Sequence, residues 1–281
     1  MQISKISLKN AQFPDKLREI NDPPKSINVL GTLPEGVYVG IVGTRAPTAY
    51  GEKVTYQLAS GLAAAGAVIV SGLAIGLDGI AHRAALEAGG KAVAVLAHGL
   101  DQIYPVRHRG LARDILAGGG ALVSEYDEGE LPLPFHFVER NRIIAGLSTA
   151  LIVTEAAAKS GTLITARDAK ESGRTVMAVP GNITSAYSAG PNNLIRIGAV
   201  PITSVADAIV ELGFHAREAV PVPAASKDEA ELLKLLGDGA ATSDQLIGQS
   251  GLSPAEFANI ISLMEITGKV RNLGAGNWVA R

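Results

Sequence analysis

Five stretches of this chain combine glycine, hydroxyl and cationic residues in the way anion sites do. The first is Val42-Gly43-Thr44-Arg45-Ala46-Pro47-Thr48, where Gly43 permits close backbone approach and Thr44 and Thr48 offer hydroxyls. Arg45 adds a planar charge that matches phosphate oxygens, and a helix expected from Glu52 aims its positive dipole end at the same place. A capped loop whose arginine pairs with a carboxylate is the competing reading. The second stretch, Ser71 to Gly79, spaces Gly72, Gly76 and Gly79 as G-x-x-x-G-x-x-G, close to a dinucleotide loop. An NADP oxidoreductase is therefore a rival, although no tyrosine here has a lysine four residues on. The third, Phe137-Val138-Glu139-Arg140-Asn141-Arg142, sets two arginines around Asn141 beside an aromatic ring. Guanidinium groups plus a ring that stacks on a base suit single-stranded nucleic acid. The bland alternative makes Phe137 core and both arginines buried ion-pair partners. The fourth, Lys159-Ser160-Gly161-Thr162, precedes a helix, so the backbone N–H groups of Ser160, Gly161 and Thr162 can face an anion, with Lys159 adding charge. The fifth is a long polar loop from Pro180 that ends in Asn192 and Asn193.

These loops need a scaffold, and β-branched runs alternating with Ala/Leu-rich stretches supply one. Strands are expected at Tyr38–Val42, Ala67–Ser71, Ala92–Ala97, Ala121–Ser124, Ala150–Thr154 and Thr175–Val179, with a short one at Pro201–Ile202. Helices are expected at Glu52–Ala65, Gly79–Ala88, Gly110–Ala117 and Leu163–Ser172, and the apolar run after Arg142 is expected to lead into a strand. The pattern is that of an α/β protein with a Rossmann-like parallel sheet over residues 37–213, after a lead-in over 1–36 that packs on the core. Right-handed crossovers then gather the loops after the strands on one rim. Residues 214–226 are Pro/Ala-rich without periodicity and read as a linker. Residues 227–281 read as a small winged-helix-like unit: helices at Asp228–Leu236, from Thr242/Ser243 to Ile247 and at Pro254–Thr267, then a two-stranded wing ending near Trp278. Ser253, Pro254 and Glu256 form a helix-start signal.

Composition limits the function classes. The chain has 281 residues, 47% hydrophobic, with no cysteine and a net charge of −2. Disorder, disulfide scaffolds, Cys-ligated metals and thiol nucleophiles are excluded. There is no Walker A lysine, no Gly-x-Ser-x-Gly elbow, and no metal spacing among His82, His98, His108, His136 and His215, which all read as structural. No cofactor is implied. Val54 to Leu77 is uncharged and long enough to span a bilayer, but Ala65-Gly66-Ala67 divides it into a helix and a strand, so no membrane span and a cytoplasmic location are expected. The total charge argues against nucleic acid, whereas its distribution does not. Gly40–Gly110 carries +2 and Leu131–Val200 carries +3, and these segments hold the five stretches. From His215 onward six basic residues face eight acidic ones, so the last unit is as suited to protein contact as to DNA.

Jointly the motifs GTR, SGLAIGLD, GLDQIYP, RNRIIAGLS, EAAAKSGTLITA, AVPG and NNLI, spread from Phe13 to Ala199, resemble the bacterial DNA-processing protein DprA (Smf) family. The resemblance implies a dimeric, non-enzymatic protein that binds single-stranded DNA, protects it, and helps load RecA recombinase during natural transformation. It implies phosphate contacts from Arg45 and from Lys159, Ser160 and Gly161, a base stacked on Phe137 with Arg140, Asn141 and Arg142 around it, and Asn192 and Asn193 in the last contacting loop. His98, His108, Val138 and Glu139 depart from the family pattern, the last two removing usual basic residues. The extra amino-terminal helical domain of many members has no counterpart here. A nucleotide phosphoribohydrolase with a related core is the enzymatic alternative; its Pro-Gly-Gly-x-Gly-Thr loop is approached only by Pro180-Gly181-Asn182 and Ser160-Gly161-Thr162.

Overall fold

Short runs of Val, Ile, Leu and Ala, apolar on both faces, demand cover on both sides and so build a central sheet. The computed structural model describes residues 2–214, 224–237, 241–274 and 276–280. Its contacts divide the chain into two compact units, Met1–Ala216 and Arg217–Arg281.

The first unit holds nine strands: β1 (Ile3–Ser7), β2 (Ser26–Gly31), β3 (Tyr38–Val42), β4 (Val68–Ser71), β5 (Lys91–Val95), β6 (Ala121–Ser124), β7 (Ala150–Val153), β8 (Thr175–Ala178) and β9 (Val200–Pro201). Its helices are α1 (Asp15–Arg18), α2 (Ala49–Ala64), α3 (Leu77–Glu87), α4 (Arg109–Ala117), α5 (Pro134–Leu147), α6 (Thr162–Glu171), α7 (Ala189–Arg196) and α8 (Val205–Glu211). The sheet order is β1-β2-β6-β5-β4-β3-β7-β8-β9. From β6 to β9 every pairing is parallel, while β1 and β2 add an antiparallel edge, with Asn28 opposite Ser124. The sheet is thus mostly parallel, and the lead-in supplies two strands that the sequence pattern did not announce.

Side chains alternate between two cores as the pleat requires. Val39 and Ile41 of β3 pack with Leu58 and Leu62 of α2 and Ala81 of α3 on one face. Val42, Val70 and Val153 pack on the other face with Ile143 and Ile144 of α5 and Ala166 of α6. Residues 54–77 fold as most of α2, then β4 and a loop. Among the described residues no helix is long and apolar enough to cross a membrane.

Two elements differ from expectation. Residues 134–147 form α5, not a run into a strand: Pro134 occupies the first turn, where its missing N–H costs nothing. Asn192 and Asn193 lie on α7 rather than in an open loop, since Pro191 is also tolerated in a first turn.

The second unit contains α9 (Lys227–Leu236), β10 (Ala241–Thr242), α10 (Ser243–Ser250), α11 (Pro254–Ile266), β11 (Val270–Gly274) and β12 (Asn277–Ala280). Its sheet has three strands, ordered β10-β12-β11, one more than the expected wing. Capping boxes start α10 (Thr242 with Gln245) and α11 (Ser253 with Glu256). Leu232, Leu246, Phe257, Ile261, Met264 and Trp278 form a core of its own. The linker expected over 214–226 falls, at residues 215–223, outside the described residues, and so does His215.

Candidate nucleic-acid interface

The parallel strand order runs outward from β3 to β6, then returns to the other side of β3 with β7. At such a reversal the loops after the two strands diverge to opposite faces and leave a crevice at the strand ends. Those loops are Gly43–Thr48 after β3 and Thr154–Gly161 after β7. They are cross-tied: Thr44 N–H donates to Glu155 O at 2.8 Å, and Thr162 Oγ1 donates to Gly43 O at 3.2 Å.

A cleft of ≈ 290 Å³ opens there, lined by Gly43, Thr44, Arg45, Phe137, Arg140, Asn141, Ser160, Gly161 and Thr162. Nine residues singled out from the sequence therefore share one cavity although they come from three distant segments. Arg45 is exposed, and its guanidinium carbon lies 5.0 Å from the Phe137 ring centroid, a cation–π contact. Tyr104 meets the same ring edge-on, with centroids 5.9 Å apart and planes at 64°. Phe137 is half-buried, so part of its surface faces the cleft. The Asn141 side-chain amide and the Lys159 ammonium have no hydrogen-bond or ion-pair partner among the described residues, although Lys159 does not line the cleft.

The two arginines flanking Asn141 have other work. Arg140 is 3% exposed and runs beneath the loop after β4, where Nη1 donates to Gly72 O at 2.7 Å and also to Val95 O. A side chain at Gly72 would come within 2.4 Å of that guanidinium, which is why glycine stands there. Burial pulls the Arg140 pKa down to about 10, so it stays charged at neutral pH. It faces Asp78, whose carboxyl is pushed up by burial against the opposing pull of Arg140 and whose Oδ2 accepts from Gly72 N–H at 3.1 Å. Arg142 pairs with Glu125 at 2.7 Å and Asp22 at 3.1 Å, tying α5 to the end of β6 and to the lead-in. Arg140 is thus buried and Arg142 paired, whereas Phe137 keeps part of its ring at the cleft.

The N-terminus of α2 also differs from expectation. It does not offer its dipole to an outside anion, because the buried Glu155 carboxylate already occupies it. Thr48 N–H donates to Glu155 Oε2 at 3.0 Å and Thr48 Oγ1 donates to Oε1 at 2.6 Å, and the same hydroxyl accepts from Gly51 N–H as the helix cap. At α6 the anion site is narrower than the three expected amides. Ser160 N–H donates to Ala157 O and Thr162 N–H to Ser160 Oγ, leaving Gly161 N–H without an acceptor among the described residues. Asn192 clamps Gly181 through both its amide ends, at 3.1 and 3.0 Å, and so shapes the loop after β8. Asn193 is exposed. Thr48, Gly72, Arg142, Asn192 and Asn193 therefore stand outside the cleft itself.

A family model described as DNA recombination-mediator protein A matches residues 4–213. The chain belongs to this family. A second model, the DprA winged helix domain, matches residues 216–276. A candidate DNA processing protein DprA of Mycobacterium tuberculosis is 42% identical over 259 residues, covering 86% of this chain. The chain spans 66% of the length of that relative. The solved structure of DNA processing protein A (DprA) from Streptococcus pneumoniae superposes with a TM-score of 0.70 at 41% identity, over 75% of each chain. That of DNA processing protein A from Helicobacter pylori, described for its single-stranded DNA binding mode, gives 0.68 at 32% identity, over 76% of this chain and 98% of its own.

Within this family frame the unforeseen parts of the site are Tyr104, Asp78 and Glu155. Each lay inside a quoted motif without a role. Glu155 carried the one readable signal: an acid directly after a buried strand, placed to meet a neighbouring helix N-terminus. Tyr104 is held by His98, whose Nδ1–H donates to Gly99 O at 2.8 Å while Nε2 accepts Tyr104 N–H at 3.3 Å. These two partners fix the neutral tautomer. Among the described residues no group of three or more His, Cys, Asp or Glu could hold a metal.

Proposed function

We propose that this chain is a single-stranded DNA-binding recombination mediator that binds rather than transforms its substrate. The observation that carries this reading is Arg45 over Phe137 at the mouth of the strand-order reversal, with Asn141 and Gly161 N–H free beside it. A phosphate draws Arg45 and Gly161 N–H, and the exposed side of Phe137 receives a base. Lys159, Ser160 and Thr162 complete the phosphate contacts, and Thr44 offers its hydroxyl. Arg140, Arg142, Thr48, Gly72 and Asn192 position these groups without touching DNA. In this reading residues 37–213 are a Rossmann-like domain, 1–36 pack on it, 214–226 link it to a winged-helix-like domain over 227–281, and the protein works in the cytoplasm as a homodimer. As a family member it protects incoming DNA and helps load RecA during natural transformation.

Fluorescence anisotropy with single- and double-stranded oligonucleotides at fixed salt tests the proposal. Single strands bind more tightly, and Phe137→Ala weakens them roughly ten-fold, the effect of losing ~1–3 kcal/mol of stacking. Equal affinity for both forms, or no change in the variant, overturns it.

A further inference from the structure

A second cleft of ≈ 390 Å³ adjoins the first and shares only Arg45 with it. Arg83 from α3 and Arg107 from the 3-10 turn Val106–His108 line it, with Ile75 and His108 beside them. One carboxylate, Glu52, is present. Neither Arg83 nor Arg107 donates a hydrogen bond or forms an ion pair among the described residues, and Glu52 lies in none of the ion pairs either. Two uncommitted guanidinium groups, and Arg45 from over the Phe137 ring, therefore converge with one carboxylate on one concavity in a protein whose total charge is negative.

The wall between the clefts is held in place. Gly76 has φ of +88°, and a side chain there would come within 2.5 Å of Thr44 O, so this loop lies directly on the backbone that carries Arg45. Leu77 N–H donates to Thr44 O at 3.2 Å, and His108 Nδ1–H donates to Leu73 O at 2.8 Å. The cations are thus presented by a braced surface, and Ile75, 37% exposed, gives that surface an apolar spot.

We propose that the second cleft is a further phosphodiester subsite: a single strand whose base stacks on Phe137 passes over Arg45 and sets its next phosphates on Arg83 and Arg107. The inference rests on the single-stranded DNA reading above and extends it. Guanidinium groups suit phosphate oxygens through paired N–H donors, and each phosphate neutralised on a single strand contributes about 0.7 to the slope of log affinity against log salt.

The test compares the full-length chain with Arg83→Gln/Arg107→Gln and, separately, Phe137→Ala. Each is titrated with a dinucleotide, which fills one cleft only, and with a twenty-nucleotide oligothymidylate, across a salt series. In the double variant the salt slope on the long strand falls by about 1.4 and its affinity at low salt drops roughly ten-fold, while dinucleotide affinity is unchanged. An unaltered slope on the long strand overturns the second subsite, whatever Phe137→Ala does. An equal loss on both lengths overturns it too, because the arginines then belong to the first cleft. Phe137→Ala reports on the first cleft alone, so failure of the underlying reading is seen separately. Circular dichroism establishes that the variants are folded.

Discussion

The guanidinium carbon of Arg45 lies 5.0 Å from the centre of the Phe137 ring, so one side of the ring is covered by a cation in the protein alone. In the proposed binding mode an incoming strand changes both partners at once: the phosphate recruits Arg45, and the base takes the ring. The two residues are then energetically coupled. Phe137→Ala and Arg45→Ala each weaken binding, the second also flattening the salt dependence by about 0.7. The double variant loses more than the two single losses combined, by roughly 0.5–1 kcal/mol, the scale of an exposed cation–π contact, because that contact is given up on binding and is already absent in either single variant. A strictly additive double-mutant cycle contradicts this arrangement.

Arg140 and Arg142 separate from Arg45 by the same assay. Arg140→Ala strands the carbonyls of Gly72 and Val95 and removes the larger of the two cationic influences on buried Asp78, leaving that of Arg45. It lowers unfolding free energy by roughly 3 kcal/mol or more. Arg142→Ala breaks partly exposed pairs with Glu125 and Asp22 and costs about 1 kcal/mol. The slope of affinity against salt stays unaltered in Arg142→Ala, because that guanidinium meets no phosphate. Denaturant unfolding beside oligonucleotide titration checks both, and a slope reduced by about 0.7 in Arg142→Ala returns it to the binding surface.

These arginines mark the boundary of what sequence patterns convey. Tyr38–Val42 and Ala121–Ser124 were legible to the residue because strands buried on both faces read as unbroken apolar runs between turn signals. The glycine-bearing loops were legible because they follow those runs. Helix α5 was not, since its apolar residues keep to no single face: Phe135 and Val138 are exposed, while Ile143 through Leu147 are all buried. Read as a run into a strand, residues 134–147 give no helix face, so a buried Arg140 one turn from a half-exposed Phe137 is not legible. The antiparallel pairing of β2 with β6 depends on partners almost a hundred residues apart, and no local signal carries it. The occupation of the α2 N-terminus by Glu155 is likewise a contact between separate segments.

Acid weakens the core through a buried histidine. His82 is fully buried with both ring nitrogens unpartnered, and burial first, then the charges of His108, Arg83 and Arg140, push its pKa down to about 3. The folded chain therefore leaves His82 neutral while the unfolded chain protonates it near 6.5. Between those values the unfolded state binds the extra proton, so stability is complete above pH 6.5 and declines as pH falls toward 3. His98 shifts in the same direction, chiefly through burial. Between pH 7 and 5 the His82 contribution is roughly 2 kcal/mol. Unfolding curves show a shallower decline in His82→Leu than in the unaltered chain; parallel declines contradict the assignment.

The second unit has one helix that is electrostatically unsuited to add phosphate contacts. Its helix α11 carries Glu256 and Glu265 and no lysine or arginine, and it exposes Leu263 and Ile266. Two of the cations nearby are engaged: Lys269 pairs with Glu229 at 2.6 Å, and Lys234 approaches Glu231 at 4.0 Å. A helix of this charge placed in a DNA groove meets repulsion rather than releasing counterions. The first unit has its own two-sided core, into which Phe214 still packs. A chain ending at Phe214 therefore folds and binds a single-stranded oligonucleotide with the affinity and salt slope of the whole chain. Titration of both forms over the same salt series measures this directly. A slope lower by 0.7 or more in the shortened chain means that the second unit holds at least one phosphate.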